Sequence, residues 1–124
     1  LGFFRKIMVP GETDQGIHVE RLSVSLSTAS TYVIEATLIQ VAERPTIVSG
    51  SVKLEIQGMQ NGEAVRLMAA DLGGTPTNLD FRFRYFQALE QTIELPTEFL
   101  PSRIKVAVIG KKGMPVEAEF VWPV

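Results

Sequence analysis

The chain of 124 residues contains no cysteine and a single histidine. The first absence excludes disulfides, thiol nucleophiles and thiolate metal sites, and it leaves the cellular compartment open. With one histidine and scattered acids, no metal-ligand cluster can be assembled from neighbouring positions. No apolar run approaches the ~20 residues that cross a bilayer. Neither sign of charge dominates: 12 Lys and Arg stand against 14 Asp and Glu, for a formal charge of −2 and a pI near 5.4. Bulk attraction to nucleic acid or to an anionic membrane is therefore not built in.

What the chain does have is alternation. From residue 17 onward apolar and polar residues trade places with period two, the signature of strands with one buried face. Leu22, Val24 and Leu26 form one apolar row, and Tyr32, Ile34, Ala36 and Leu38 the next. Val48, Val52, Leu54 and Ile56 precede Asn61-Gly62, a hairpin signal because both residues tolerate positive φ, and Val65, Leu67 and Ala69 return from it. Further rows are Leu79, Phe81, Phe83 and Tyr85, then Leu89, Ile93 and Leu95. Ile104, Val106 and Val108 follow, and Val116, Ala118, Phe120 and Trp122 close the series.

Turn clusters at Ala42–Pro45, Gly73–Pro76, Pro96–Pro101 and Lys111–Gly113 separate the rows. Seven or eight such strands predict an all-β fold, an antiparallel β-sandwich of immunoglobulin-like general architecture, with a barrel as the alternative closure. Residues 17–124 make the sandwich domain. Residues 1–16 precede it as an arm and linker, with Leu1, Phe4, Ile7 and Met8 at helical spacing before Pro10-Gly11. From nine residues a helical turn and an extended arm fit equally.

Chemistry is scarce. His18 opens the first strand with no adjoining triad partner beyond Glu20, so it reads as a surface or packing histidine. Glu117 and Glu119 share one strand face, which on an alternating strand is its solvated side rather than a glycosidic acid–base pair. Gly73-Gly74 leads into more strand, not a helix N-terminus, so it forms no phosphate-binding loop. No catalytic residue, metal site or cofactor is expected, and the protein is read as a non-enzyme.

The one stretch resembling a binding motif is Phe81-Arg82-Phe83-Arg84-Tyr85-Phe86. With Phe81, Phe83 and Tyr85 turned to the core, Arg82, Arg84 and Phe86 share the outer face. An RNA-binding strand needs its aromatics on the basic face, so nucleic acid is not the expected partner. A hairpin about Ala88 would set Arg82 opposite Glu94 and Arg84 opposite Thr92. Arg82, Arg84 and Phe86 are the candidate protein-interaction face, since arginine beside an aromatic suits an interface anchor.

Three segments carry a family resemblance: FFRKIMVPGETDQGIHVERLSV, VKLEIQGMQNGEAVRL and LDFRFRYFQALEQTIELPTEFLPSRIKVAVI. Together they resemble the C-terminal β domain of an uncharacterised family of proteobacterial inner-membrane proteins. The most specific element is FRFRYFQ followed by Leu95-Pro96 and Phe99-Leu100-Pro101, and the match is weakest from Gly110 to Val124. The resemblance implies a transmembrane helix and a coiled coil upstream of this segment, with Phe4-Arg5 in the final turns of the coil. It also implies a periplasmic location and a homodimer held by the upstream helices. Envelope proteins are the expected partners, and the membrane is reached only through that upstream helix. The expected function is a membrane-tethered interaction or scaffold domain; the alternative is a carrier or sensor that binds a lipid or glycan.

Overall fold

The computed structural model describes residues 2–3, 6–7, 16–28, 30–111 and 115–122. Eight strands build the body: β3 (Gly16–Thr28), β4 (Thr31–Val41), β5 (Val48–Gln60), β6 (Glu63–Met68), β7 (Leu79–Phe83), β8 (Phe86–Glu94), β9 (Phe99–Gly110) and β10 (Val116–Val121). A 3₁₀ turn, Ala69–Leu72, follows β6. Two-residue strands β1 (Gly2–Phe3) and β2 (Lys6–Ile7) precede the body. One sheet runs β1-β3-β4-β8 and the other β2-β10-β9-β5-β6, with β7 also on β5, and every pairing is antiparallel. The expected all-β sandwich is what the chain forms. Three long strands face a β10-β9-β5-β6 sheet in the Greek-key manner of immunoglobulin-like domains.

The apolar rows meet between the sheets. Leu22, Val24, Ile34, Ala36 and Leu38 come from one sheet and Leu54, Ile56, Ile104, Val106 and Phe120 from the other, all 2% exposed or less. Fully burying an aliphatic or aromatic side chain stabilises a fold by roughly 1.5–3 kcal/mol each, so this layer is the main driving force. Leu26 departs from the expected row: it is 54% exposed near the β3–β4 turn, while Val19 takes a core place. A bulge between Val19 and Arg21 shifts the alternation by one, which moves the buried residues from odd to even positions. Asn61 (φ 52°) and Gly62 (φ 81°) form the hairpin turn between β5 and β6, as their sequence predicts.

Before the body, β1 pairs with the edge of β3 and β2 with the edge of β10. The extended alternative is thus the one adopted at these four residues, and they close the flank where the two sheets' edges meet. Phe4-Arg5, the expected end of a coiled coil, lies outside the described residues, as do Leu1 and Met8. Pairing of Gly2 with Val24 and Phe3 with Ser23 makes β1 run away from the β3–β4 hairpin end.

Gly58, like Gly50, sits where backbone and neighbour approach too closely for a side chain. A Cβ there would lie 2.2 Å from the Leu100 carbonyl oxygen and 2.8 Å from the Phe99 ring. Gly58→Ala is expected to lower stability by about 1–3 kcal/mol in urea denaturation, the usual range for overpacking. A Gly62→Ala change, at a position with open space, is strained only through its positive φ.

Candidate functional site

The β7–β8 connection forms a tip at the end of the sandwich opposite the β3–β4 hairpin. Leu79, Phe81 and Phe83 enter the core as the alternation requires, between 3% and 7% exposed. The strand then stops. Arg84 and Tyr85 make a bend, and Phe86 begins β8 in the opposite sheet. Tyr85 is consequently 62% exposed, correcting its expected place in the core, and Phe86 is 68% exposed. Arg82 and Arg84 are exposed as expected. All three candidate residues and Tyr85 are exposed around the bend, but the single strand face expected for them is corrected: Arg82 is on β7 of one sheet, Arg84 in the bend, and Phe86 on β8 of the other.

The cross-strand partners expected for the arginines are also corrected. Because β7 pairs with β5 and β8 with β4, Glu94 lies opposite Thr31 and Thr92 opposite Val33. Gln87 Oε1 instead accepts a 2.8 Å bond from the backbone N–H of Arg82, joining the two strands across the corner between sheets. Among the described residues neither Arg82 nor Arg84 enters an ion pair.

Gln40 fixes the tip. Its backbone N–H donates to the Tyr85 carbonyl at 3.0 Å. Its Nε2 donates to the carbonyl of Arg84 at 2.6 Å and to that of Thr46 at 2.7 Å. One side chain thus ties the β7–β8 bend to the β4–β5 loop, where Val41 and Ile47 are also exposed, at 41% and 50%. A second exposed apolar pair, Met59 and Leu100, sits across β5 and β9 at the other end.

The remaining charged candidates have structural employment. Lys105 Nζ lies 2.7 Å from Glu117 and Arg103 Nη1 3.4 Å from Glu119, on the outer face of the β10-β9-β5 sheet. The solvated-face reading of the two glutamates agrees with this. The bond from Glu117 raises the Lys105 pKa above its ordinary value, against a smaller opposing effect of burial. His18 lies opposite Ile39 on β3, half-buried. Among the described residues no group of three metal-ligating side chains occurs.

Sequence gave no sign of a pocket of about 320 Å³ on the flank of the sandwich. On one side β5 pairs continuously with β9 around this point. On the other, β7 pairs as far as Val52 and β6 begins at Glu55, so the ladder is interrupted at Lys53 and Leu54. Residues of the 3₁₀ turn and the segment leading into β7 wall this gap, and buried Gln91 reaches it from the opposite sheet. No single segment contains the pocket, which is why alternation could not reveal it.

Residues 1–106 match DUF6776, a family of unknown function. The chain belongs to this family. The match ends inside β9, and the family stretch includes the tip, Gln40 and all the residues that line the flank pocket. The last strand, β10, lies beyond it yet completes the sheet and supplies Phe120 to the core. A comparison with curated proteins gave no match.

Two outcomes follow from this geometry. Gln40→Ala is expected to speed amide hydrogen exchange at Tyr85–Gln87 relative to the core strands, at a global cost of about 1 kcal/mol for the lost bonds. Glu117→Gln is expected to let the Lys105 pKa fall toward its ordinary value, measured by NMR titration of the side chain. Because that pKa is raised in the folded state, the pair stabilises at neutral pH and its contribution is lost only as alkaline pH passes through the folded value. As a partly exposed pair it is worth less than about 1 kcal/mol.

Proposed function

We propose that this domain is a non-enzymatic interaction module, presenting the tip formed by Arg82, Arg84, Tyr85 and Phe86 to a protein partner. The observation that carries the reading is the pairing of two strongly exposed aromatic rings with two arginines that have no ion-pair partner among the described residues. Exposed aromatics cost solubility in a free domain, and arginine and tyrosine dominate the energetics of interface centres. Gln40 holds the bend in place before binding, which reduces the ordering entropy an interface must overcome.

Position on the fold supports the same reading. Strand β1 runs from the hairpin end toward the tip end, so chain preceding it would approach from the hairpin end. The tip would then point away from whatever tethers the domain. The resemblance to the β domain of membrane-anchored envelope proteins supports a proposed tether in the inner membrane, through an upstream helix and coiled coil, with the tip in the periplasm toward an envelope protein. The family itself has no assigned function and leaves the partner's identity to experiment.

Affinity capture from envelope extracts tests the proposal. The wild-type domain is expected to recover a defined partner, and Arg82→Ala, Arg84→Ala and Phe86→Ala to reduce its recovery at least about tenfold when combined, the loss of about 1.4 kcal/mol or more. Equal recovery by the triple variant and by wild type would remove the tip as the binding face.

A further inference from the structure

We propose that the flank pocket between β6 and β7 is a binding site for a small zwitterion, a free amino acid with an apolar side chain. The site is independent of the tip, which lies at the end of the body.

The pocket's size bounds the ligand first. At about 320 Å³ it sits at the lower limit of small-molecule sites, so it fits a single small molecule rather than a lipid chain. Its floor is apolar: Val52, Leu54 and Leu79 line it and are each 5% exposed or less. No aromatic ring lines it, and so it lacks the stacking surface that would hold the face of a sugar.

Charge then selects the ligand. Lys53 from β5 and Asp71 from the 3₁₀ turn both line the pocket and are exposed at its rim. Neither forms an ion pair with the other or elsewhere among the described residues. A cation and an anion held in one pocket without pairing offer separate sites to a carboxylate and an ammonium on the same molecule. Gln91, 3% exposed, also lines the pocket from β8. Its Nε2 donates to the Pro76 carbonyl at 2.7 Å, and its Oε1 accepts no hydrogen bond among the described residues. The oxygen is not a buried orphan and keeps contact with water at the pocket, where a ligand N–H can replace that water. The ammonium of an α-amino acid can serve Asp71 and Gln91 together, its carboxylate meets Lys53, and its side chain covers the apolar floor.

Two-dimensional NMR titration of the labelled domain with leucine, N-acetylleucine, leucinamide and glucose tests each contact. Leucine is expected to give saturable shifts at Val52–Leu54, Asp71 and Leu79. Lys53→Met and Asp71→Asn should each weaken it about tenfold, and the spectrum of each variant reports whether it is folded. N-acetylleucine, lacking the ammonium, should bind more weakly to wild type and lose nothing further with Asp71→Asn. Leucinamide should behave likewise with Lys53→Met. Absence of saturable shifts with leucine would overturn the proposal. So would equal binding of leucine, its two blocked forms and glucose.

Discussion

Strand β5 governs the rest of the molecule because no single neighbour covers its second edge. It is 13 residues long and pairs with β9 over nearly its whole length. Its other edge is divided between β6, which covers Glu55–Gln60, and β7, which covers Val48–Val52. The division forces the chain to leave β5 after β6, cross the flank in the 3₁₀ turn, touch β8 through the Thr75–Thr92 bridge, and return as β7. Both surfaces of interest come from that detour. The interrupted ladder leaves the pocket, and β7 returns with only five residues before it must cross to the other sheet, which makes the exposed bend at Arg84-Tyr85.

Much of the fold was legible in the chain because burial here has a single period. Once one face of each strand must be apolar, Ile34-Ala36-Leu38 and Ile104-Val106-Val108 identify themselves, and Asn61-Gly62 sets a turn by its backbone freedom. Legibility failed where a strand changes phase or ends without a change in pattern. The bulge after Val19 moved the buried row to Leu22 and Val24, and Leu26, of the same parity, is exposed where the strand nears the β3–β4 turn. At Tyr85 the alternation of ring and arginine continues in sequence after the strand has stopped, and period two carries no information about where a strand leaves its sheet. Gln91 is the complementary case. It occupies a core position in the row Leu89-Gln91-Ile93, which is tolerable because Pro76 accepts from its amide, a contact between residues 15 apart in sequence.

The candidate site was half readable for the same reason. Arg82, Arg84 and Phe86 are all exposed, but parity along one strand accounts only for Arg82, since Arg84 lies in the bend and Phe86 begins β8 in the other sheet. Their setting was not readable, since the bend, the Gln87 bond and the anchoring by Gln40 depend on β7 and β8 belonging to different sheets. The outer face of the β10-β9-β5 sheet makes an instructive contrast. There Lys105 and Arg103 are matched by Glu117 and Glu119 across adjacent strands, as expected for a surface whose charges stabilise the sheet modestly. At the tip neither arginine has an ion-pair partner among the described residues, and exposed rings accompany them, the contrast on which the proposed partner face rests.

Site-specific photo-crosslinking separates these two surfaces most directly. A photoreactive residue in place of Phe86, in the full-length protein in its native cells, should yield a discrete cross-linked partner, while the same residue in place of Lys105 should yield little. Comparable yields of the same species from both positions, or none from position 86, would contradict the assignment of the tip as the face that the fold presents.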